Sequence, residues 1–109
     1  MAYDEDLARR IRQLLTDNPA LTEKKMFGGL SFMLQGNMAC VVIKDEMIVR
    51  IDPARTDASL AQPHVRPFDF TGRPMKGWVV VEPGGLSLDE ELEEWVLKGV
   101  DYALSLPPK

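Results

Sequence analysis

The sequence predicts an α+β fold in which an antiparallel β-sheet meander is flanked by an N-terminal helix and a C-terminal helix. Apolar residues recur three or four positions apart in the first and last parts of the chain, as they do on the buried face of a helix. Between these parts they recur at every second position, which is typical of half-buried strands. Short polar connections separate the predicted strands, so neighbouring strands should pair antiparallel.

The first helix is predicted to begin after Asp4, because aspartate is a preferred residue at helix N-caps. It is followed by four apolar residues at helical spacing: Leu7, Ile11, Leu14 and Leu15. The helical pattern stops at Asn18-Pro19, since proline disfavours helical geometry in the residue before it. A loop is expected from there to about Thr22.

Three strands are predicted in the middle of the chain, over residues 30–34, 38–43 and 47–51. Two of them place alternate apolar residues on one face: Leu30, Phe32 and Leu34 in the first, and Met47, Val49 and Ile51 in the third. The Gly28-Gly29 pair indicates a bend or bulge just before the first strand.

Two further strands and a short helix are predicted after this meander. Residues 54–61 form the short helix, and residues 65–70 form an edge strand because Pro67 cannot donate a ladder hydrogen bond. Residues 78–81 are apolar on both faces, which favours a central strand. Residues 71–77 are expected to be a loop between these two strands.

The last helix has the clearest signal in the chain. Ser87 and Glu90 have the spacing of a capping box, with Ser87 at the N-cap and Glu90 at the third helical position. Six residues at helical spacing form its predicted inward stripe: Leu88, Leu92, Trp95, Val96, Gly99 and Ala103. We therefore expect Trp95 to be largely buried, and Trp78 as well because its strand is apolar on both faces.

The net charge of −4 comes from the C-terminal part of the chain. Residues 87–109 carry six acidic residues against Lys98 and Lys109, and the rest of the chain is close to neutral. Strong non-specific binding to nucleic acid depends on neutralising phosphates with lysine and arginine, so this acidity argues against it. We expect a protein partner, with nucleic acid contacted only weakly or indirectly.

The sequence favours a cytoplasmic protein. Its acidic N-terminus lacks the basic start of a secretory signal. The longest apolar run, residues 38–43, is far shorter than the roughly 20 residues that span a bilayer as a helix, so no membrane contact is expected. Cys40 is the only cysteine, which excludes an intrachain disulfide.

No enzyme activity, metal or cofactor is expected. Nucleophilic catalysis needs a serine or cysteine beside a base, yet the only histidine, His64, lies in a predicted loop. Cys40 lies inside an apolar strand, where packing in the core explains it. The acidic residues of the last helix have no histidine among them, and we interpret them as a solvated face rather than a cation site.

A family resemblance rests on three segments: residues 25–32 (KMFGGLSF), 70–78 (FTGRPMKGW) and 92–96 (LEEWV). Together they resemble the TfoX N-terminal domain family, and the resemblance covers nearly the whole chain. It implies a compact α+β domain of bacterial regulators of natural competence, which act with a cyclic-AMP receptor protein at certain promoters. It implies no catalytic residues.

We therefore expect residues 1–109 to form a single TfoX N-terminal-like domain, with no second domain. Its expected role is that of a non-enzymatic regulatory or protein-interaction module, whose partner belongs to the transcription machinery or is a cyclic-AMP receptor protein. Two alternatives stay open. One is a weak nucleic-acid-binding domain, and the other is a sensor of an unknown small molecule.

The candidate binding residues are four cations: Arg73, Lys76, Arg50 and Lys25. Arg73 and Lys76 lie in the predicted loop between Gly72 and Gly77, and loops held by rigid strands often carry binding residues. The alternative is that Arg50 pairs with Asp52 or Asp69 and that Lys76 is simply solvated.

Overall fold

The computed structural model describes residues 3–26, 28–69 and 74–108. Its helices and strands follow one another as α1 (Glu5–Leu14), β1 (Leu21–Met26), β2 (Gly29–Leu34), β3 (Asn37–Ile43), β4 (Glu46–Arg50), α2 (Thr56–Leu60), β5 (Val65–Asp69), β6 (Pro74–Val81) and α3 (Asp89–Ser105). A 3-10 turn over Pro53–Arg55 leads directly into α2, and a second covers Pro83–Gly85. The predicted α+β class and the short helix after Ile51 are confirmed.

The strands form one six-stranded antiparallel sheet in the order β1-β2-β3-β4-β6-β5. The first four strands are a meander, and β6 then inserts between β4 and β5. The central position predicted for residues 78–81 and the edge position predicted for the strand of Pro67 are both confirmed. Pro67 fits this edge because a proline on the outermost strand sacrifices no hydrogen bond to a further neighbour.

The main core lies between one face of the sheet and the helices α1 and α3. It contains apolar residues of α1, of the strands β2, β3, β4 and β6, and of the inward stripe of α3; representative members are Ile11, Phe32, Val49, Val81 and Val96. Asp4 caps α1 as predicted, since its side chain accepts hydrogen bonds from the backbone N–H groups of Asp6 and Leu7. Burial of this apolar surface is the principal stabilising term of such a two-layer fold.

Trp95 lies in this core with 5% of its surface exposed, which confirms the predicted inward face of α3 over most of its length. The stripe does not extend to Leu88, which precedes the helix and is 58% exposed. Gly99 is the point of closest approach between α3 and the sheet. A Cβ atom built on Gly99 would lie 2.5 Å from the carbonyl oxygen of Ala39, so only glycine allows this distance.

The capping-box prediction for α3 is wrong. The helix begins at Asp89, its N-cap position is Leu88, and no side chain in the described part of the chain caps it. Ser87 therefore lies one residue too early for its hydroxyl to serve the first turn. The first turn is instead held to α1 by an ion pair between Arg10 and Asp89, whose atoms are 3.0 Å apart.

The loop expected to continue to Thr22 is also wrong, because Leu21–Met26 forms the edge strand β1. Its sequence is mostly polar, and an edge strand needs no alternating apolar face when the backbone ladder to β2 holds it. Gly28 has a φ of 75° in the turn that follows, which confirms the predicted bend. Lys25 pairs with Leu30 in this hairpin.

The loop predicted over residues 71–77 is shorter than expected at its C-terminal end. β6 begins at Pro74, so Lys76 and Gly77 belong to the strand. Residues 71–73 of the predicted loop, Arg73 among them, lie outside the described residues. None of the helices in the described part of the chain is long and apolar enough to cross a membrane.

Candidate functional site

The candidate site is centred on Arg50, the last residue of β4. Its register partner on β6 is Trp78, and the guanidinium carbon lies 5.4 Å from the centre of the Trp78 ring. The same carbon lies 5.5 Å from the centre of the Tyr102 ring on α3. Cation–π attraction to two rings holds this half-buried side chain in place.

Arg50 forms no ion pair with any carboxylate among the described residues, so the predicted alternative of a pair with Asp52 or Asp69 is wrong. The Asp52 carboxylate accepts a hydrogen bond of 2.9 Å from the Ala54 backbone N–H and caps the 3-10 turn instead. Four other arginines do have carboxylate partners: Arg9 with Asp6, Arg10 with Asp89, Arg12 with Glu23, and Arg66 with Glu46 and Glu82. Within the described ranges, the arginines that lack one are Arg50 and Arg55.

This absence matters because a guanidinium carries five N–H donors in a fixed planar fork. Aromatic faces attract the positive charge, but they do not provide the oxygen acceptors that match the fork. Arg50 is therefore charged, positioned and short of carboxylate acceptors. A carboxylate from outside the domain would complete its interactions.

Trp78 is half-buried, so the prediction that it is largely buried is wrong. It lies on the sheet face opposite to α1 and α3, in a second apolar cluster around Val41, Ile48 and Val80. Its ring also contacts that of Phe68, with centres 6.1 Å apart. A strand can be internal to a sheet and apolar on both faces, yet the two described helices that form the main core cover only one of them.

The backbone conformation and close packing at position 77 account for the glycine there, without a role in binding. Its φ is 87°, its N–H donates a 2.9 Å hydrogen bond to Oγ1 of Thr56, and its carbonyl accepts from the Ile51 N–H at 2.8 Å. A Cβ atom there would approach the Ile51 carbonyl oxygen and the Pro53 ring to 3.3 Å. Gly77 thus ties β6 to the turn that carries α2 and places Lys76 beside it, exposed to solvent.

A cleft lies beside Tyr102, between the turn and short helix that follow β4 and the C-terminal half of α3. Its volume is about 490 Å³. Eight of the ten lining residues are polar or charged. They come from two separate segments: Ile51, Asp52, Arg55, Ala58, Ser59 and Gln62 from the first, and Lys98, Asp101, Tyr102 and Ser105 from the second. Sequence reasoning missed it because neither segment has a recognisable motif.

The structure brings two of the four predicted binding residues to one end of the sheet. Lys76 lies two residues before Trp78, the register partner of Arg50. Lys25 lies on β1, at the opposite edge from β5, and three strands separate it from β6. At a strand spacing of about 4.8 Å this is roughly 19 Å, so Lys25 does not share a surface with Lys76. The position of Arg73 lies outside the described residues.

Cys40 and His64, the cysteine and histidine that could take part in nucleophilic catalysis, are not among the residues of this site. Cys40 is fully buried, and burial raises the pKa of its thiol to about 12, which confirms its interpretation as a core residue. His64 is exposed, and its ring packs against the backbone of Gly84. Among the described residues, no three histidine, cysteine or acidic side chains are grouped to hold a metal ion.

Comparison with protein families gives a match to the family described as the TfoX N-terminal domain, over residues 13–103. This range spans most of the chain and includes Arg50, Lys76, Trp78 and Tyr102. Comparisons with curated proteins and with solved structures gave no match.

Proposed function

The chain belongs to the TfoX N-terminal domain family, and on that premise we propose that it is a non-enzymatic regulatory module that docks on an acidic segment of a protein partner. The observation that carries this proposal is the half-buried guanidinium of Arg50, which lies over Trp78 and Tyr102 and has no carboxylate partner among the residues that the structure describes. Such a group offers a carboxylate of a partner a strong, charge-assisted contact.

Two physical properties make Arg50 a suitable anchor. Its side chain is already restrained by two rings, so less rotamer freedom is lost when a partner binds. Partial burial lowers the local dielectric constant, which strengthens a charge pair relative to one on a fully exposed surface. A guanidinium also binds a carboxylate through two parallel hydrogen bonds, which fixes the orientation of the partner.

Lys76 extends the same surface, and Arg73 is proposed to join it because it immediately precedes β6. An exposed ammonium group attracts an acidic partner before contact, and the range of this attraction becomes shorter as the salt concentration rises. The lysine therefore contributes to the rate of encounter more than to the final contact. Lys25 is left out of the proposed surface because it lies at the other edge of the sheet.

The proposed partner is a protein of bacterial transcription, either the RNA polymerase holoenzyme or a cyclic-AMP receptor protein. Family membership and the expected cytoplasmic location support this choice. Direct binding to DNA is proposed to be weak, since the domain is acidic overall.

The test measures binding of the purified domain to each of these two purified proteins. Arg50→Ala should weaken binding by about tenfold or more, the effect of a lost charge-assisted hydrogen bond. Arg50→Lys should recover only part of this loss, because an ammonium group cannot make the bidentate contact. The combined Arg73→Ala and Lys76→Ala variant should bind more weakly and show a smaller dependence on salt.

Lys25→Ala is the matched control, because it removes one cation from the opposite edge of the sheet and should leave binding unchanged. Unchanged binding by Arg50→Ala would overturn the proposed anchor. Failure of the wild-type domain to bind either protein would remove the link to transcription. A labelled DNA duplex, bound tightly and sequence-selectively at physiological salt, would favour the nucleic-acid alternative.

A further inference from the structure

We propose that the cleft between α2 and the C-terminal half of α3 binds a small zwitterionic molecule of the amino-acid type. The proposal is separate from protein docking, since it rests on other charged side chains and a different class of ligand, although Tyr102 borders both sites. The volume of the cleft, about 490 Å³, lies in the range of about 300 to 1,000 Å³ that is usual for small-molecule sites.

The charges on the two walls of the cleft carry the argument. Asp52 and Arg55 lie on the wall formed by the 3-10 turn, and Lys98 and Asp101 lie on the wall formed by α3. Each wall thus presents one carboxylate and one cation, three residues apart. In the described part of the chain, none of these four groups forms an ion pair with another or with any further residue. The walls leave both signs of charge unpaired across an open space.

A zwitterion complements this arrangement better than an anion does. Two cations and two carboxylates line the cleft, so the charges of its walls sum to zero. The carboxylate of an amino acid would pair with Arg55 and Lys98, and its ammonium group would pair with Asp101. A ligand that carried only negative charge would gain the first interaction but would also meet the repulsion of Asp52 and Asp101.

Lys98 contacts an aromatic ring of its own helix. Its ammonium nitrogen lies 4.3 Å from the centre of the Trp95 ring, and that ring is buried in the core. This contact restrains the position of the charge without neutralising it. A restrained and unpaired cation favours binding because less ordering is required of it.

Ser59 adds a polar group to the lining. The residue is only 5% exposed and lines the cleft. A serine hydroxyl both donates and accepts hydrogen bonds, so Ser59 offers a polar contact to a ligand. Ile51 and Ala58 form the apolar part of the lining, where an aliphatic side chain of the ligand would pack.

The test is a titration of the isotope-labelled domain, followed by amide chemical shifts. The probes are the twenty standard amino acids, and then the N-acetyl and the carboxamide derivatives of the one that binds most tightly. The amides of Ser59, Gln62 and Lys98 should shift to saturation with the amino acid. Each derivative lacks one of the two charges and should bind about tenfold more weakly, as expected for the loss of one charge-assisted contact.

Arg55→Gln and Asp101→Asn should each weaken binding of the amino acid by about tenfold as well. The amide spectrum should show that both variants remain folded. Lys44→Gln is the matched control, because Lys44 is exposed in the connection between β3 and β4 and should have no effect. Equal binding of the N-acetyl derivative would overturn the zwitterion assignment. The absence of shifts with all twenty amino acids at about 10 mM, well above the dissociation constant of even a weak ligand, would overturn the site.

Discussion

Arg50 and Trp78 face each other across strands β4 and β6, with the guanidinium carbon 5.4 Å from the centre of the indole ring. This contact depends on the insertion of β6 between β4 and β5. Had β5 paired with β4 in simple chain order, Arg50 would have met a different strand. The strand order therefore creates the cation–aromatic pair on which the proposed docking surface is built.

Replacing Arg50 should affect stability only modestly. Arg50→Ala removes two cation–π contacts at a half-buried position, for an expected loss of about 1 to 2 kcal/mol in the free energy of unfolding. Urea denaturation of the variant and of Arg50→Lys, which keeps the charge, measures this loss. A variant that fails to fold would show instead that Arg50 has a structural role, and weakened partner binding could not then be assigned to docking.

The two tryptophans should differ in their contribution to stability. Trp95→Ala removes a side chain buried between α3 and the sheet and should cost about 3 to 5 kcal/mol. Trp78→Ala should cost clearly less, because its ring is half-buried on the other face of the sheet. Urea denaturation curves of both variants provide the comparison. Equal losses would contradict the assignment of the two faces.

Gly99→Ala tests the close approach of α3 to the sheet. Helix propensity alone would make this change stabilising by about 1 kcal/mol. We expect the opposite sign, a loss of about 1 to 3 kcal/mol, because the new Cβ would lie 2.5 Å from the backbone oxygen of Ala39, which cannot move aside easily. Thermal unfolding measures the difference. Leu97→Ala, on the exposed side of the same helix, is the control and should change stability by less than about 0.5 kcal/mol.

The ion pair between α1 and β1 should make stability depend on pH under acidic conditions. Two hydrogen bonds of 2.7 Å join the Arg12 guanidinium to the Glu23 carboxylate, and these bonds lower the pKa of Glu23 in the folded protein. The contribution of this ion pair to the free energy of unfolding is fully present above the unfolded-state pKa of about 4.3. It is lost as the pH falls through the lower folded-state pKa of Glu23.

Glu23→Gln isolates this contribution. The wild-type protein should be more stable by up to about 1 kcal/mol at neutral pH, a modest figure because both side chains are partly exposed. The difference should shrink on acidification below about pH 4. Urea denaturation at a series of pH values measures it. A difference that stays constant down to about pH 2 would contradict the proposed linkage.

The thiol of Cys40 should be unreactive in the folded domain. It is fully buried, and its pKa is raised to about 12, so the thiolate is almost absent at neutral pH. A thiol reagent such as dithionitrobenzoate should react only as fast as the domain opens, and rapidly in urea. Immediate reaction of the native protein would show that β3 is accessible.

Local periodicity explains which elements could be predicted. The alternation in residues 47–51 and the helical spacing from Leu92 to Ala103 each reflect burial of one face, and such burial gives the segment a periodic pattern of apolar residues. β1 has no such pattern, since its polar residues are held by backbone pairing with β2. α3 begins one residue later than the capping pattern predicts, because such a pattern in the sequence does not establish where the chain turns into the helix.

The candidate site was predictable only in part, and the reason is again physical. The sequence predicts Arg50 as a cation within a strand and Lys76 as a cation of a loop, but no property of either segment indicates that Tyr102 lies over Arg50. The lining of the cleft comes from the segment after β4 and from α3, which meet only after both have packed on the sheet. Contacts between distant segments depend on strand order and helix placement rather than on local pattern.

By itself, the sequence determined the α+β class, the inward face of the last helix, the core position of Cys40 and the resemblance to the TfoX N-terminal domain family, because each rests on patterns within short segments of the chain. Only the tertiary structure decided that β6 separates β4 from β5, that Arg50 lies over two aromatic rings, and that two carboxylates and two cations from distant segments line one cleft. These relationships join segments far apart in sequence. They arise when the strands pair and the helices pack, and a local pattern contains no information about them.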